Sequence, residues 1–142
     1  MGSSEKLGLK PAMTLKSEIH LVKEVPANSA VGYGGTAKTK ERTKLAIITL
    51  GYSDGIPRNT SDKAGVFVAG KRAPIIGRVS MDQFVVDLGV DSMAVSGDYV
   101  TVFGETTDGS GYSIDEWASA SSTINYEIVT RIASRVPRIY LN

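Results

Sequence analysis

From Met13 to Val25 the side chains alternate in character. Met13, Leu15, Ile19, Leu21 and Val25 fall on one face, and Thr14, Lys16, Glu18, His20 and Glu24 on the other. A sustained period of two is that of a long strand with one face buried, and it predicts a sheet as the body of the fold. Pro26-Ala27-Asn28-Ser29 ends this strand, and a glycine-rich loop follows through Gly35. Leu45 to Leu50 reads as a buried strand. Val66-Phe67-Val68-Ala69 and Ala73-Pro74-Ile75-Ile76 read as hairpin arms around Gly70-Lys71. Phe84 to Leu88 and Tyr99 to Phe103 supply two more strands, the second preceded by Gly97-Asp98 turn chemistry.

The period then changes. Ser113-Ile114-Asp115-Glu116 is a capping-box pattern, which predicts a short helix to about Ala120. Ile124, Ile128 and Ile132 recur every four residues and predict a second helix, stopped before Pro137. The tail Arg138-Ile139-Tyr140-Leu141 is expected to return to a strand. Many short strands broken by glycine turns predict a mainly β domain, an antiparallel barrel or a sandwich, with two short helices near the C-terminus. Residues 9–142 read as that one domain. The start, Met1-Gly2-Ser3-Ser4-Glu5-Lys6, has no signal-peptide apolar region, and residues 1–8 are expected to be a flexible boundary segment.

Composition narrows the function classes. Sixteen basic and fifteen acidic residues leave a formal charge of +1, which gives no electrostatic case for nucleic acid or an anionic membrane. No apolar run approaches the ~20 residues that span a bilayer. Cysteine is absent, which excludes disulfides and thiolate metal sites and fits a reducing, cytoplasmic setting. The single histidine, His20, makes a histidine zinc site or a Ser-His-Asp triad a poor reading. It alternates along the first strand and is expected to be solvated.

One stretch breaks the strand pattern around it. In Gly77-Arg78-Val79-Ser80-Met81-Asp82-Gln83 an arginine, an aspartate and a glutamine stand between an apolar run and the next strand. Polar groups set on a rigid sheet are what a binding site needs. Other candidates each have a plain alternative. Tyr33 sits among Gly32, Gly34 and Gly35, which allow close backbone approach to a ligand but equally make a surface turn. Tyr52, in Gly51-Tyr52-Ser53-Asp54-Gly55, could belong to a tight turn, and Arg58 could be a solvated loop charge. Arg78 and Asp82 could pair with each other, and Tyr126 could be a half-buried packing residue.

Taken in order, these motifs are specific. Tyr33 in its glycine loop, Gly51-Tyr52-Ser53-Asp54-Gly55-Ile56-Pro57-Arg58, the heptapeptide Gly77–Gln83, Thr123-Ile124-Asn125-Tyr126-Glu127 and Arg135-Val136-Pro137-Arg138-Ile139 resemble the C-terminal domain of bacterial alanine racemases. Leu9 to Ser17 is similar to that family's segment crossing from its first domain to its second. The resemblance covers about Leu9 to Leu141 and implies an antiparallel, Greek-key-like β-barrel.

The resemblance also implies a function. Alanine racemases join an N-terminal (β/α)8 barrel, which holds pyridoxal 5′-phosphate on a lysine, to a β domain. They act as homodimers whose sites combine one barrel with the partner's β domain, and they supply D-alanine for peptidoglycan. This sequence resembles the β domain alone, so it is expected to be inactive and without cofactor by itself. Racemisation removes the α-proton from one face and returns a proton to the other, so two bases are needed. By similarity Tyr33 is the base reaching into the partner's site. A free tyrosine titrates near ~10, so such a base needs cationic neighbours, which the family places in its barrel. Met81, through its backbone N–H, and Asp82 match the contacts to the substrate carboxylate. Tyr126 matches the contact to the cofactor phosphate. Tyr52, Arg58, Arg78 and Ile124 match the lining of the corridor by which a small amino acid reaches the site.

Three positions depart from the family pattern. Gly32 replaces a frequent serine, Ala37 a common aromatic, and Ser80 stands where some members have cysteine. The first two are expected to leave the Tyr33 loop less constrained. Tyr126 favours alanine over serine, although serine racemases share most of these motifs. A β module that docks onto a barrel without a catalytic role is the remaining alternative.

Overall fold

The computed structural model describes residues 6–141. Of the expected boundary segment, residues 1–5 lie outside the described residues, and Lys6–Gly8 form an exposed turn. The chain runs β1 (Leu15–Val25), β2 (Ala30–Val31), β3 (Ala37–Lys38), β4 (Thr43–Ile48), β5 (Gly65–Val68), β6 (Lys71–Pro74), β7 (Phe84–Asp87), β8 (Tyr99–Phe103), α1 (Ile114–Ala120) and α2 (Asn125–Arg131). Six strands form one antiparallel sheet in the order β6-β5-β8-β1-β4-β7. Its two edges meet again just beyond β6, where Ile75 bridges Val86 and the Ile76 N–H donates to the Val85 carbonyl at 2.9 Å. The sheet is therefore a nearly closed barrel, and the sandwich alternative falls away. The ribbon β2–β3 stands apart from it.

Strand β1 serves both halves of the sheet. Its residues 15–18 pair with β8, and from Ile19 onward it pairs with β4. The change of partner brings a bulge between Ile19 and Leu21, which displaces the alternation by one residue. Ile19 is fully buried, Leu21 is exposed, and Val22 packs on the core in its place. The expected inward position of Leu21 is thus corrected. His20 is exposed, as its place in the alternation implied. The β5–β6 turn is Ala69-Gly70, both at positive φ (49° and 75°), rather than Gly70-Lys71. That geometry matches the twist of a two-residue hairpin.

The core fills the barrel and the cleft beneath α1. Ile19, Ile48, Val66, Val86 and Val102 point inward, and Trp117 closes the bottom. The indole meets Phe84 edge-on, with centroids 6.1 Å apart, and its Nε1–H donates to the Val102 carbonyl at 2.7 Å. Helix α1 has the expected capping box: Ser113 Oγ accepts from the Glu116 N–H, and the Glu116 carboxylate accepts from the Ser113 N–H. Helix α2 is shorter than its isoleucine spacing predicts. Ile128 and Ile132 are buried, but Ile132 already has extended ψ (115°), five residues ahead of Pro137.

The tail is not a strand. Arg138 instead folds its guanidinium back onto the carbonyls of Ile132, Ala133 and Val136, capping the chain that leaves α2. This turns Ile139–Leu141 out into solvent. Among the described residues no helix is long and apolar enough to cross a membrane.

Candidate functional site

The heptapeptide Gly77–Gln83 lies in the loop between β6 and β7, not on the sheet. It breaks the strand pattern because the chain leaves the barrel there and returns at Phe84. The loop is nevertheless tightly held. The Ser80 N–H donates to the Gln83 carbonyl at 2.8 Å, which leaves Met81 and Asp82 at the tip of a turn.

The Tyr52 motif backs this tip. The Tyr52 N–H donates to the Ser80 carbonyl and the Ser53 N–H to the Met81 carbonyl, both at 3.0 Å. Gly51 packs so closely that a Cβ there would stand 2.2 Å from the Met81 carbonyl oxygen. No side chain fits, so glycine is required for the two loops to touch. Asp54, almost fully buried, accepts the Gly51 N–H on Oδ2 (2.8 Å) and Arg135 Nε on Oδ1 (2.7 Å). Gly55, at φ 109°, abuts the carbonyl of Arg131 at the end of α2.

Tyr33 reaches the same end of the barrel from another direction. It opens a short 3-10 turn, Tyr33–Gly35, between β2 and β3, and the residue is 71% exposed. Gly32 before it rests on Gly77, each at positive φ. The Tyr33 loop, the Tyr52 turn and the Met81–Asp82 tip therefore form one continuous surface. The expectation of a looser Tyr33 loop is not met at Gly32, because the contact with Gly77 pins the backbone there.

The charged groups are arranged otherwise than the sequence suggested. Arg78 does not pair with Asp82. Asp82 Oδ1 is bound by Arg135 Nη2 at 3.0 Å and by the Ser53 hydroxyl at 2.9 Å. Ser53 and then Arg135 hold the Asp82 carboxyl below the usual carboxylate range, and Asp54 and Asp82 in turn raise Arg135. Arg58 and Arg78 are exposed, and neither guanidinium has a partner among the described residues.

Tyr126 and Ile124 lie elsewhere, at the start of α2, and both are exposed. Tyr126 borders a groove of about 320 Å³ lined by Pro11, Met13, Ile114, Asn125 and Val129. Among the described residues no group of acidic or histidine side chains could hold a metal ion.

Ser53, Asp54 and Arg135 are members of the site that sequence reasoning passed over. Asp54 had a local signal, since an aspartate three residues after Gly51 can accept its N–H. Arg135 stood in one of the motifs, but nothing near it in the sequence gave it a role, because its partners are the distant Asp54 and Asp82.

Fold and loops together define a class: a small antiparallel barrel with two short helices, carrying a polar wall of three interlocked loops at one end. Residues 12–140 match the family model described as "Alanine racemase, C-terminal domain". The chain belongs to that family. It is 50% identical over 139 residues to the alanine racemase of Salinispora tropica, which covers 97% of this chain and 37% of that protein. The crystal structure of alanine racemase from D-cycloserine-producing Streptomyces lavendulae superposes with a TM-score of 0.91 at 50% identity, covering 99% of this chain and 36% of that one. The biosynthetic alanine racemase of Pseudomonas aeruginosa gives 0.89 at 39% identity, covering 99% of this chain and 38% of that one. The chain thus spans a little over a third of the length of these relatives.

Proposed function

We propose that this chain is the β portion of a pyridoxal phosphate-dependent alanine racemase and completes a site built on a partner's barrel. The intact protein would be a cytoplasmic homodimer interconverting L- and D-alanine for cell-wall synthesis. The observation that carries the reading is the state of the Met81–Asp82 tip. The carbonyls of Ser80 and Met81 are both occupied, whereas the Met81 N–H and Asp82 Oδ2 have no partner among the described residues. A free N–H on a braced turn is ready to receive a carboxylate without reorganising.

The cofactor supplies, when bound, the electron sink that lets an α-proton leave an amino acid. The residues present fit a share of such a site rather than the whole of it. The hydroxyls of Tyr33 and Tyr126 have no partner among the described residues, so each is available to an external group. In this reading the Tyr33 hydroxyl oxygen takes or returns the proton on one face of the substrate carbon. The Met81 N–H and Asp82 orient the substrate at its carboxylate end, while Tyr126 donates to the phosphate. Arg58 and Arg78 attract the incoming carboxylate, and Tyr52 and Ile124 narrow its path.

The test is complementation with a pyridoxal phosphate-loaded racemase barrel, assayed with alanine and with serine. Activity on alanine should appear only with both parts. Tyr33→Phe should then lower it by about 10²–10⁴-fold, the usual contribution of a general acid-base. Full activity in Tyr33→Phe would leave only a docking role.

A further inference from the structure

Ser53, Asp54 and Arg135 take no part in the steps above, yet with Asp82 they form one connected cluster of side chains at this end of the barrel. Asp54 has both carboxylate oxygens engaged, one by the Gly51 N–H and one by Arg135 Nε, and it is only 7% exposed. Its carbonyl accepts the Ala133 N–H at 2.9 Å, so the segment carrying Arg135 is tied to the same residue through the backbone. A carboxylate fixed on both oxygens cannot turn to follow a moving partner. The planar guanidinium on it is therefore fixed as well, and it presents Nη2 to Asp82 Oδ1 and to the Ser53 hydroxyl.

We propose that Arg135 is a positioning residue for the substrate carboxylate, bracing the Met81–Asp82 tip against the buried Asp54. The proposal rests on the reading of Met81 and Asp82 given above. Three features of the contacts support it. Arg135 occupies only Oδ1 of Asp82, so Oδ2 stays open to the outside. The Ser53 hydroxyl accepts from Arg135, so its one proton goes to the Met81 carbonyl (2.7 Å) or to Asp82 (2.9 Å), both on the tip. The side chains of Arg135 and Asp82 are 55% and 68% exposed, and a pair so wet adds little to stability. What the fork contributes is direction. Arg78, on the loop itself, has the same chemistry without an anchor and cannot do this.

A lysine would keep the charge but lose the two-armed geometry, and this provides the discriminating variant. In the chain combined with a racemase barrel, Arg135→Met should raise KM for alanine about tenfold, the weight of one charge-assisted hydrogen bond, with a much smaller change in kcat. Arg135→Lys should fail to restore KM. In the chain alone, carboxyl-carbon NMR should show Asp82 titrating at higher pH in both variants while circular dichroism shows an intact fold. Wild-type KM in a folded Arg135→Met, or full recovery with lysine, would overturn the proposal. Should Arg135→Met not fold, Arg135→Lys alone decides it. Tyr33→Phe assayed in parallel separates the two ideas: full activity there removes the catalytic share proposed for this chain, whereas its loss beside an unaffected Arg135→Met removes only the bracing role.

Discussion

Gly32 and Gly77 stand back to back where the Tyr33 loop crosses the heptapeptide. A Cβ on Gly32 would lie 3.0 Å from the Arg78 nitrogen, and one on Gly77 would lie 3.0 Å from the Val31 carbonyl oxygen. Neither loop can shift sideways without driving one backbone into the other. Tyr33 is thus positioned by two glycines rather than by any contact of its own ring.

A serine at position 32 should therefore harm this chain. Gly32 has φ 76° and ψ −178°, a region open in practice to glycine alone. Gly32→Ser is expected to cost about 1–3 kcal/mol, read from urea denaturation. Gly70→Ser, at a positive φ but with open space around it, should cost less and serves as the control.

The indole of Trp117 joins α1 to β8 by one hydrogen bond and to β7 by ring contact. Trp117→Phe should retain most of the packing but remove the hydrogen bond to the buried Val102, a loss of about 0.5–1.5 kcal/mol. Trp117→Ala should cost about 3–5 kcal/mol. Thermal unfolding of the two variants separates the contributions.

Glu116 gives the fold an acid-sensitive cap. Burial by itself would raise its carboxyl, but the Arg72 guanidinium and the Ser113 N–H outweigh burial and hold it below its usual 4.5. Because the folded value is the lower one, the stabilisation is present above about 4.5 and is lost as pH falls through the folded value. The stability gap between the natural chain and Glu116→Gln should therefore be constant near neutrality and close in acid. A gap that widens in acid would show the sign to be wrong.

Tyr33, Tyr52 and Met81 expose apolar surface on one set of interlocked loops. At high concentration the chain should self-associate through this face. Sedimentation should show a concentration-dependent dimer that Met81→Glu weakens. A strict monomer throughout would remove the idea.

The sequence made legible whatever depended on near neighbours. Ser113 and Glu116 are three residues apart, and their capping box appears as read. Strand β8 keeps its expected limits because Tyr99–Val102 alternates and glycine turns at Gly97 and Gly104 bound it. Leu21 was misplaced because a bulge depends on a change of partner from β8 to β4, which no local pattern records. The tail was misread because its fate is decided by where Arg138 finds free carbonyls. At the site, the motifs located Tyr33, Tyr52, Met81 and Asp82 on one surface. The groups that brace the Met81–Asp82 tip, Asp54 and Arg135, meet only after folding.

The closure of the barrel at Ile75–Val86 bears on how this surface moves. The two chains that meet there are the stems of the Gly77–Gln83 loop. Among the described residues, the seam is the Ile75–Val86 bridge, which includes the Ile76-to-Val85 hydrogen bond. The loop and the seam consequently share one clasp. A fluctuation that unfastens the barrel also slackens the turn carrying Met81 and Asp82, and a ligand gripping that turn would fasten the barrel from outside. The amide of Ile76 is the natural reporter, since its exchange with solvent would follow both events at once.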